Sequence, residues 1–390
     1  MGRGGDATVP AEGQRVPAFP RAPSDKPPFT VGDLKRAIPP HCFKRSLLTS
    51  FSYLATDLAI IAALAFSTRY FEHPTVPKLV SYLVLWPLYW AICGSVATGV
   101  WVISHECGHQ AFSDYGWVND TVGLVFHSAL LVPYFSWKYS HRRHHSNTGS
   151  LAKDEVFVPP HADNLPWFGV LTEFSLGRFM YLTFMLLAGW PSYLITNATG
   201  RPYKGWANHF VPQSPIFNKS EQFFVLVSDL ALVAVIYGLY TLSGLYGGAW
   251  LFKVYGAPLL VVNSFLVLIT FLQHTHPALP HYKDKEWDWL RGALATVDRD
   301  YGILNIAHHH IADTHVAHHL FSTMPHYHAQ EATEAIKPVL GPYYQKDTTP
   351  IYEAMWREIK ECNYVEADEP SKPGVLWMKS RSDLKAKKGN

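Results

Sequence analysis

Histidines at helical spacing are the residues of this sequence with the clearest capacity for chemistry. They form three clusters that lie far apart along the chain, His105–His109, His141–His145 and His315–His319. Residues three or four positions apart lie on one face of a helix, so each cluster would direct its imidazoles the same way. The clusters supply eight candidate ligands: His105, His109, His141, His144, His145, His315, His318 and His319.

Eight imidazoles exceed the needs of one metal ion. A zinc site closes at about four ligands, whereas two ions of the octahedral type could use eight, and imidazole suits iron. A single histidine is usually a structural residue, but three clusters with a shared spacing favour a common metal site. They predict a non-haem centre of two iron ions that uses O2 as co-substrate.

Two other classes of protein fit parts of this pattern. His105, Glu106 and His109 match the H-E-x-x-H motif of zinc metalloproteases, in which the glutamate is the general base. An intramembrane zinc protease would leave the other two clusters without a role. The non-enzymatic alternative is a histidine-rich metal transporter or sensor. Transporters hold ionisable groups near the middle of the bilayer, whereas these clusters lie beyond the apolar segments.

The composition favours a membrane protein. Hydrophobic residues make up 48% of the 390 residues and charged residues only 16%, below the roughly 25% typical of soluble domains. A net charge of +2, without a basic binding motif, argues against a nucleic-acid partner. The four cysteines lack metal or disulfide spacing, which favours a reducing compartment.

Long apolar segments are the elements that must position the histidines. A helix needs about 20 apolar residues to cross a bilayer. The candidate segments cover residues 47–66, 79–104, 121–135, 178–197, 222–243 and 250–273. If one site gathers all three clusters, an even number of crossings must separate each pair of clusters. We therefore expect four transmembrane helices.

Two segments are excluded from the crossings. Residues 121–135 are too short and contain Pro133, so we expect them at the membrane interface. Residues 178–197 contain Pro191, which we expect to break a spanning helix. Lys44 and Arg45 before the first span mark the cytosolic side. Both termini and all clusters are then cytosolic, and the sequons at Asn119, Asn197 and Asn218 should carry no glycan.

The predicted fold is all-α: an integral membrane protein with four transmembrane helices, interfacial helices and a cytosolic histidine-rich cap that holds the two irons. We divide the chain into a disordered cytosolic arm (residues 1–40), a membrane domain (residues 41–345) and a cytosolic tail (residues 346–390). The arm is rich in Pro, Gly and charge, and the tail after Val365 is charged and expected to be flexible.

Several long motifs resemble one enzyme family. Besides the first cluster, they are Val132–Pro159, Gly292–Asn305 and Ala312–His328. From about Pro27 to Glu366 the chain is similar to the plant endoplasmic-reticulum oleate Δ12-desaturases, or omega-6 fatty acid desaturases, of the membrane-bound fatty acid desaturase family. The resemblance implies a di-iron enzyme that introduces a cis double bond at Δ12 of oleoyl chains on phosphatidylcholine, giving linoleoyl chains.

The resemblance also implies partners and a location. Electrons would come from cytochrome b5 and its NADH reductase, and the protein would be a multi-pass protein of the endoplasmic reticulum membrane. Lys387 and Lys388 near the end resemble a dilysine retrieval signal. The sequence leaves open whether the protein forms a homo-oligomer or a hetero-oligomer.

Carried over to this chain, the family's metal ligands fall on the eight histidines of the three clusters. A ninth ligand is expected at the cytosolic end of the last span, where we favour His274 over His276 because His274 leaves the bilayer first. The triplet His308–His310 is interpreted as surface or supporting residues.

Two departures from the family pattern affect the predicted product. Gln110 follows the first cluster where the family has His, and Ser104 precedes it where the family has Ala or, in hydroxylases, Gly. Both are expected near the reacting carbons. A divergent relative, namely a fatty acid hydroxylase, epoxygenase, acetylenase or conjugase, is therefore the alternative, although Thr148, Ser322 and Met324 are typical of desaturases.

Overall fold

Helices make up most of the fold, which we describe from a computed structural model covering residues 19–389. In chain order the helices are α1 (Val31–Ala37), α2 (Leu47–Tyr70), α3 (Lys78–Gly108), α4 (Gly116–Ala129), α5 (Tyr134–Asn147), α6 (Ser175–Thr196), α7 (Gln222–Tyr246), α8 (Gly248–His274), α9 (Trp289–Ala293), α10 (Leu304–Ala307), α11 (His315–Leu320), α12 (Ala329–Leu340), α13 (Ile351–Glu361) and α14 (Arg381–Gly389). Short 3-10 helices lie at Pro40–Phe43, Ala162–Asn164, Trp167–Glu173, His326–His328 and Gly341–Tyr343. The predicted helical fold class is confirmed.

Five helices of the described chain are long and apolar enough to cross a membrane: α2, α3, α6, α7 and α8. Among these, α6 is the helix that was expected from the sequence not to cross the membrane. The predicted break at Pro191 is wrong, because α6 continues through this residue to Thr196. Proline removes one backbone donor, and packing against α8 supports the helix, with Gly189 lying beside Val267. Which of the five helices cross stays a prediction.

Helix α4 has 14 residues, too few to span a bilayer, as expected for residues 121–135. The chain reverses after it at Leu131, where φ is 56°, and enters α5. Gly123 allows the two helices to approach closely, because a Cβ atom at this position would lie 2.1 Å from the Tyr134 ring. This contact sets the position of α5, which carries the second histidine cluster.

Helices α3 and α8 lie side by side along much of their length. At Gly94 an added Cβ would lie 2.5 Å from the Val261 Cβ, so only glycine fits this contact. The apolar residues of both helices form the largest hydrophobic core, which includes Val102, Leu266 and Leu272. As a consequence, the C-terminal residues of the two helices end at the same level of the molecule.

The described chain after α8 contains small β-sheets. The strands are β1 (Pro280–Tyr282), β2 (Asp298–Arg299), β3 (Lys346–Asp347), β4 (Tyr364–Glu366) and β5 (Val375–Lys379). Strand β5 is central and antiparallel to β1 and β4, with Pro280 opposite Trp377 and Tyr364 opposite Lys379. Strands β2 and β3 pair in parallel, with Asp298 opposite Lys346.

A buried ion-pair network joins these strands to α13. Arg299 is fully buried; it pairs with Asp347 on β3 and donates to Glu358 Oε1 on α13 at 2.7 Å. Removing one partner would leave an uncompensated buried charge, which is strongly destabilising. The network therefore fixes the C-terminal residues onto the rest of the molecule.

Both terminal regions differ from the predicted disorder. Leu34 on α1 is fully buried and packs in one core with Ile336 on α12, so residues 19–40 are folded onto the protein. Trp377 on β5 is also buried, although the tail was expected to be flexible. Few apolar residues occur in these segments, but several of them are buried, as Ile38 and Leu376 also show. Residues 1–18 lie outside the described chain, and the domain limits at residues 40 and 345 stay predictions.

Candidate metal centre

The histidine clusters lie at the ends of helices that meet on one side of the molecule. His105 is in the last turn of α3, His109 follows it directly, and His274 ends α8. The second cluster occupies one face of α5 and the third begins α11. Because α3 and α8 end together, and α5 and α11 pack near these ends, the imidazoles converge.

One group of histidines draws on all three clusters. The ring nitrogens of His105, His109, His141 and His318 lie within 4.8 Å of one another. His105 Nε2 is 2.9 Å from His318 Nε2, and His141 Nε2 is 3.0 Å from His145 Nε2. His145 therefore adds a fifth imidazole to this group.

A second group is centred on His274. The ring nitrogens of His144, His274 and His319 lie within 4.8 Å of one another, and His274 Nε2 is 3.2 Å from both His144 Nε2 and His315 Nε2. The two groups touch where the rings of His145 and His319 stack with centroids 4.1 Å apart. All eight predicted cluster histidines and His274 thus lie in one contiguous set.

The other histidines considered from the sequence lie elsewhere. His276 Nε2 is 3.5 Å from the Asp347 carboxylate, beyond the end of α8. His309 Nε2 lies 2.7 Å from Asp57 Oδ2 on α2, and His310 lies beside Asp313. His308 and His309 are buried, not at the surface. The structure therefore brings His274, and neither His276 nor the triplet, into the set.

Burial keeps these imidazoles in the form that can bind a metal. It lowers the pKa of His315 to about 3. It also lowers the pKa of His145 and of His319 well below the ordinary value, and repulsion between neighbouring imidazolium groups adds to the effect. At neutral pH the rings are neutral, and neutral imidazole is the metal-binding species.

The donor atoms fit a metal centre. His109 Nε2 and His319 Nε2 are buried and have no hydrogen-bond partner among residues 19–389, which is costly unless something else binds them. When two imidazoles bind the same metal ion at about 2.0–2.1 Å and the two metal–nitrogen bonds form a right angle, the two nitrogens lie about 2.9 Å apart. The observed separations of 2.9–3.2 Å match that value. These nine residues could hold metal ions, and each would provide a ring nitrogen as the ligand atom.

Supporting residues orient several rings through their second nitrogen. His144 Nδ1 is 2.7 Å from Asp154 Oδ1, His315 Nδ1 donates to the Ile311 carbonyl at 3.1 Å, and His319 Nδ1 lies 3.2 Å from Thr148 Oγ1. Such partners fix the orientation of ligating histidines and raise their basicity. Asp154 was not predicted from the sequence, because it lies in a loop where no periodicity marks it.

Glu106 lies beside the first group of histidines. It is buried, with Oε1 3.7 Å from His318 Nδ1 and 4.0 Å from His105 Nε2. These distances are too long for good hydrogen bonds. Glu106 therefore places a buried carboxyl group next to the imidazoles, and the nine histidines already account for the nitrogen donors around it.

An apolar cavity of about 260 Å³ reaches the histidines. Trp101, Trp137 and His141 line its inner end, and residues of α6 and α8 such as Met185 and Leu266 line its walls. Aromatic and aliphatic walls with few polar groups suit a long hydrocarbon chain. Gln110 and Ser104 do not line this cavity; Gln110 bonds to Asn119 and Ser104 to the Val100 carbonyl.

Comparisons with known proteins agree with this arrangement. Residues 83–350 match the family described as fatty acid desaturase, and residues 8–66 match a domain of unknown function, DUF3474. The family match covers all nine histidines as well as the cavity walls on α6 and α8. The residues matched by the desaturase family make up more than half of the chain.

Relatives of known function are similar over the whole length. A Delta(12)-fatty-acid desaturase of Arabidopsis thaliana is 60% identical over 98% of this chain and 100% of that protein. A Delta(12)-acyl-lipid-desaturase of Punica granatum is 59% identical over 97% and 99%. An endoplasmic-reticulum omega-6 fatty acid desaturase of Glycine max is 59% identical over 97% of both. On this similarity and the family match, the chain belongs to the fatty acid desaturase family.

Proposed function

We propose that this protein is an acyl-lipid desaturase that introduces a cis double bond at Δ12 of oleoyl chains on phosphatidylcholine. The observation that carries the proposal is the apolar cavity whose inner end meets His141 of the histidine set. The relatives named Delta(12) desaturases, with about 60% identity over nearly the full chain, support the position of the double bond.

The nine histidines are proposed to hold two iron ions. His105, His109, His141, His145 and His318 would bind one ion, while His144, His274, His315 and His319 would bind the other. The separations between the ring nitrogens and the unpartnered atoms His109 Nε2 and His319 Nε2 support this division. When bound, the irons would supply the activation of O2 and the removal of hydrogen from the acyl chain.

The protein's own contribution is to position the chain and exclude water. The buried rings of Trp101 and Trp137 line the inner end of the cavity beside His141. An acyl chain in van der Waals contact with them would present one pair of methylene groups to the metal site. The distance along the cavity from the ester to this point would then determine which bond is desaturated.

The reaction requires an external electron donor. Forming one double bond removes two hydrogens from adjacent carbons, and reduction of O2 to two waters needs two further electrons and two protons. Cytochrome b5 with its NADH reductase is the proposed source. The exposed Arg142 lies between the ligands of α5, so a cationic side chain is available near the irons for an acidic electron carrier.

The proposed location is the endoplasmic reticulum membrane, with four crossings and both termini in the cytosol. Contacts at both ends of α6 support its exclusion from the crossings. Near its start, Arg178 stacks on Trp356 of α13. Near its end, the Leu194 carbonyl accepts from the backbone of His209, whose ring bonds to Ser140 on α5. Both ends therefore contact the part of the molecule that holds the histidines.

The alternatives receive less support. A zinc protease would use His105, Glu106 and His109 and would leave the other seven imidazoles of the set without an assigned role. A hydroxylase, epoxygenase, acetylenase or conjugase would share the metal site, so only the product distinguishes it. Neither Gln110 nor Ser104 lines the cavity, which weakens the reason for expecting an altered product.

Expression in yeast tests the proposal, because yeast supplies oleate and cytochrome b5. We expect linoleate in the fatty acids of cells that make the protein and none in cells that make the His318→Ala variant. Absence of linoleate from well-expressed, iron-loaded protein would contradict the proposal. A hydroxy, epoxy, acetylenic or conjugated product would identify a divergent relative instead.

A further inference from the structure

The outer end of the cavity differs in chemistry from the rest of it. The walls are mainly apolar, but Thr172, Asn363 and Arg381 are joined by hydrogen bonds, close to the exposed Lys385. Among the lining residues of the described chain, Arg381 is the only Lys, Arg, Asp or Glu. A permanent charge at the mouth of an apolar cavity is costly unless water or a ligand of opposite charge meets it.

The Arg381 side chain is held in place with one donor left over. Its Nε donates to Glu173 Oε1 at 3.1 Å, and its backbone N–H donates to Asn363 Oδ1 at 3.0 Å. Its Nη1 is buried and has no hydrogen-bond partner in the part of the chain that the structure describes. The guanidinium, which lines the cavity next to Gly169, is therefore fixed and keeps one donor unsatisfied.

Gly169 makes room for this arrangement. A Cβ atom at position 169 would lie 3.0 Å from Arg381 Nη1, so a side chain there would press on the guanidinium. Glu173 is shared between Arg381 and Lys385, so two cations face one carboxylate.

The surroundings of the mouth indicate that it opens at a membrane. Large apolar side chains around it are exposed: Trp167 by 85%, Phe174 by 50%, Leu176 by 66% and Phe179 by 62%. A contiguous apolar patch of this kind marks a membrane or partner contact, and aromatic residues are enriched at the level of the lipid headgroups. The family to which the chain belongs and its five apolar helices favour the membrane.

We propose that Arg381 binds the phosphodiester of a glycerophospholipid whose acyl chain occupies the cavity. Arginine is suited to this role because its planar fork forms charge-assisted hydrogen bonds with phosphate oxygens. The site would select phospholipid-bound acyl chains and fix the ester at the mouth. This inference rests on the proposed function, since it assigns the headgroup end of the same substrate.

Lipid binding tests the inference without turnover. Purified iron-loaded protein would be titrated with three lipids that carry a brominated acyl chain, and quenching of tryptophan fluorescence would report occupation of the cavity. The lipids are a phosphatidylcholine, a galactolipid without phosphate and an acyl-coenzyme A thioester. Wild type, Arg381→Gln, Arg381→Lys and Lys385→Gln would be compared. Lys385→Gln removes the same charge from the same helix and from the same partner, Glu173.

For Arg381→Gln we expect the Kd for phosphatidylcholine to rise about tenfold or more, as for loss of a hydrogen bond to a charged group. The galactolipid Kd should not change, Arg381→Lys should recover part of the affinity, and Lys385→Gln should resemble wild type. The inference would be overturned if the Kd for phosphatidylcholine did not change. It would also be overturned if affinity for phosphatidylcholine and for the galactolipid fell equally, or if only affinity for the thioester fell. These outcomes do not depend on linoleate formation, so failure of the proposed function is seen separately in yeast.

Discussion

At the scale of single residues, the site depends on carboxylates and carbonyls that hold the imidazoles in orientation. Asp154 is buried; its Oδ1 lies 2.7 Å from His144 Nδ1 and also accepts from the backbone of Val156. It thus joins His144 on α5 to the loop that follows α5. Among residues 19–389, the other partners of the Asp154 side chain are the backbone N–H groups of Gly149 and Val156.

Asp154→Asn should lower iron affinity or activity about 10- to 100-fold, as is typical when a partner of a ligating histidine is lost. Iron content of the purified protein and linoleate in yeast measure the effect. Asp163→Asn is a matched control, because Asp163 is an exposed acid in the same connection. Wild-type iron content and activity in Asp154→Asn would show that the carboxylate does not orient His144.

Glu106→Gln separates the desaturase from the protease interpretation. In a zinc protease this carboxylate would be the general base, and its loss would cost about 10²- to 10⁴-fold in rate. In the desaturase, Glu106 lies 3.7 Å from His318 Nδ1 and no proton transfer is assigned to it. We therefore expect reduced but measurable linoleate. Complete loss of product with both irons retained would contradict this role.

The clustering of the histidines was predictable from the sequence because they repeat at helical spacing. His274 was also predicted, since it ends an apolar segment, and the structure brings it into the set. Asp154 was not predictable, because a carboxylate in a loop shows no periodicity. Gln110 and Ser104 were expected near the reacting carbons, but neither is among the residues that line the cavity, since closeness in sequence to the first cluster does not fix the direction of a side chain.

At the scale of helices, the contact between α3 and α8 determines whether His105 and His274 meet. Gly94 is the closest point, because an added Cβ would lie 2.5 Å from the Val261 Cβ. Any side chain here must separate the two helices, and the separation would be transmitted to their ends. The close approach therefore links helix packing to metal binding.

Gly94→Ala should destabilise the protein by about 1–3 kcal/mol, the usual range for overpacking, and should lower its iron content. The control is Gly238→Ala on α7, where an added Cβ meets nothing within 4 Å. This change should be neutral or should stabilise the helix by about 0.5–1 kcal/mol. Thermal unfolding in detergent measures both, and equal effects of the two variants would refute the packing argument.

Sequence patterns predicted the long helices better than the terminal regions. Hydrophobic length identified every long helix, but the effect of Pro191 was overestimated because packing on α8 compensates for one lost hydrogen bond. The fold of the tail depends on pairing between strands far apart in sequence, such as β1 with β5. Local composition cannot reveal such pairing.

At the scale of the whole molecule, the crossings of the membrane must leave all nine histidines on one side. With α2, α3, α7 and α8 as the crossings, the connection before α7 is cytosolic and the turn at Gly247 between α7 and α8 is lumenal. If α6 also crossed, the connection before α7 would be lumenal. The position of Asn218, which is exposed in this connection, therefore distinguishes the two arrangements.

A long flexible insert that carries a glycosylation sequon tests the crossings. Placed at Asn218 it should remain unmodified, and placed at Gly247 it should receive a glycan, because only the lumen contains the glycosyltransferase. A shift in electrophoretic mobility that is removed by a glycosidase is the readout. Modification of the insert at Asn218 would contradict the four-helix topology.

The metal content of the purified protein tests the central claim most directly. The claim is that the three clusters, distant in sequence, bind one shared metal centre. We predict two irons per chain in wild type, and loss of iron in variants of either group, His318→Ala and His274→Ala. Elemental analysis together with Mössbauer spectroscopy would establish the number and coupling of the irons. One zinc per chain, or an iron content unaffected by His274→Ala, would contradict the account.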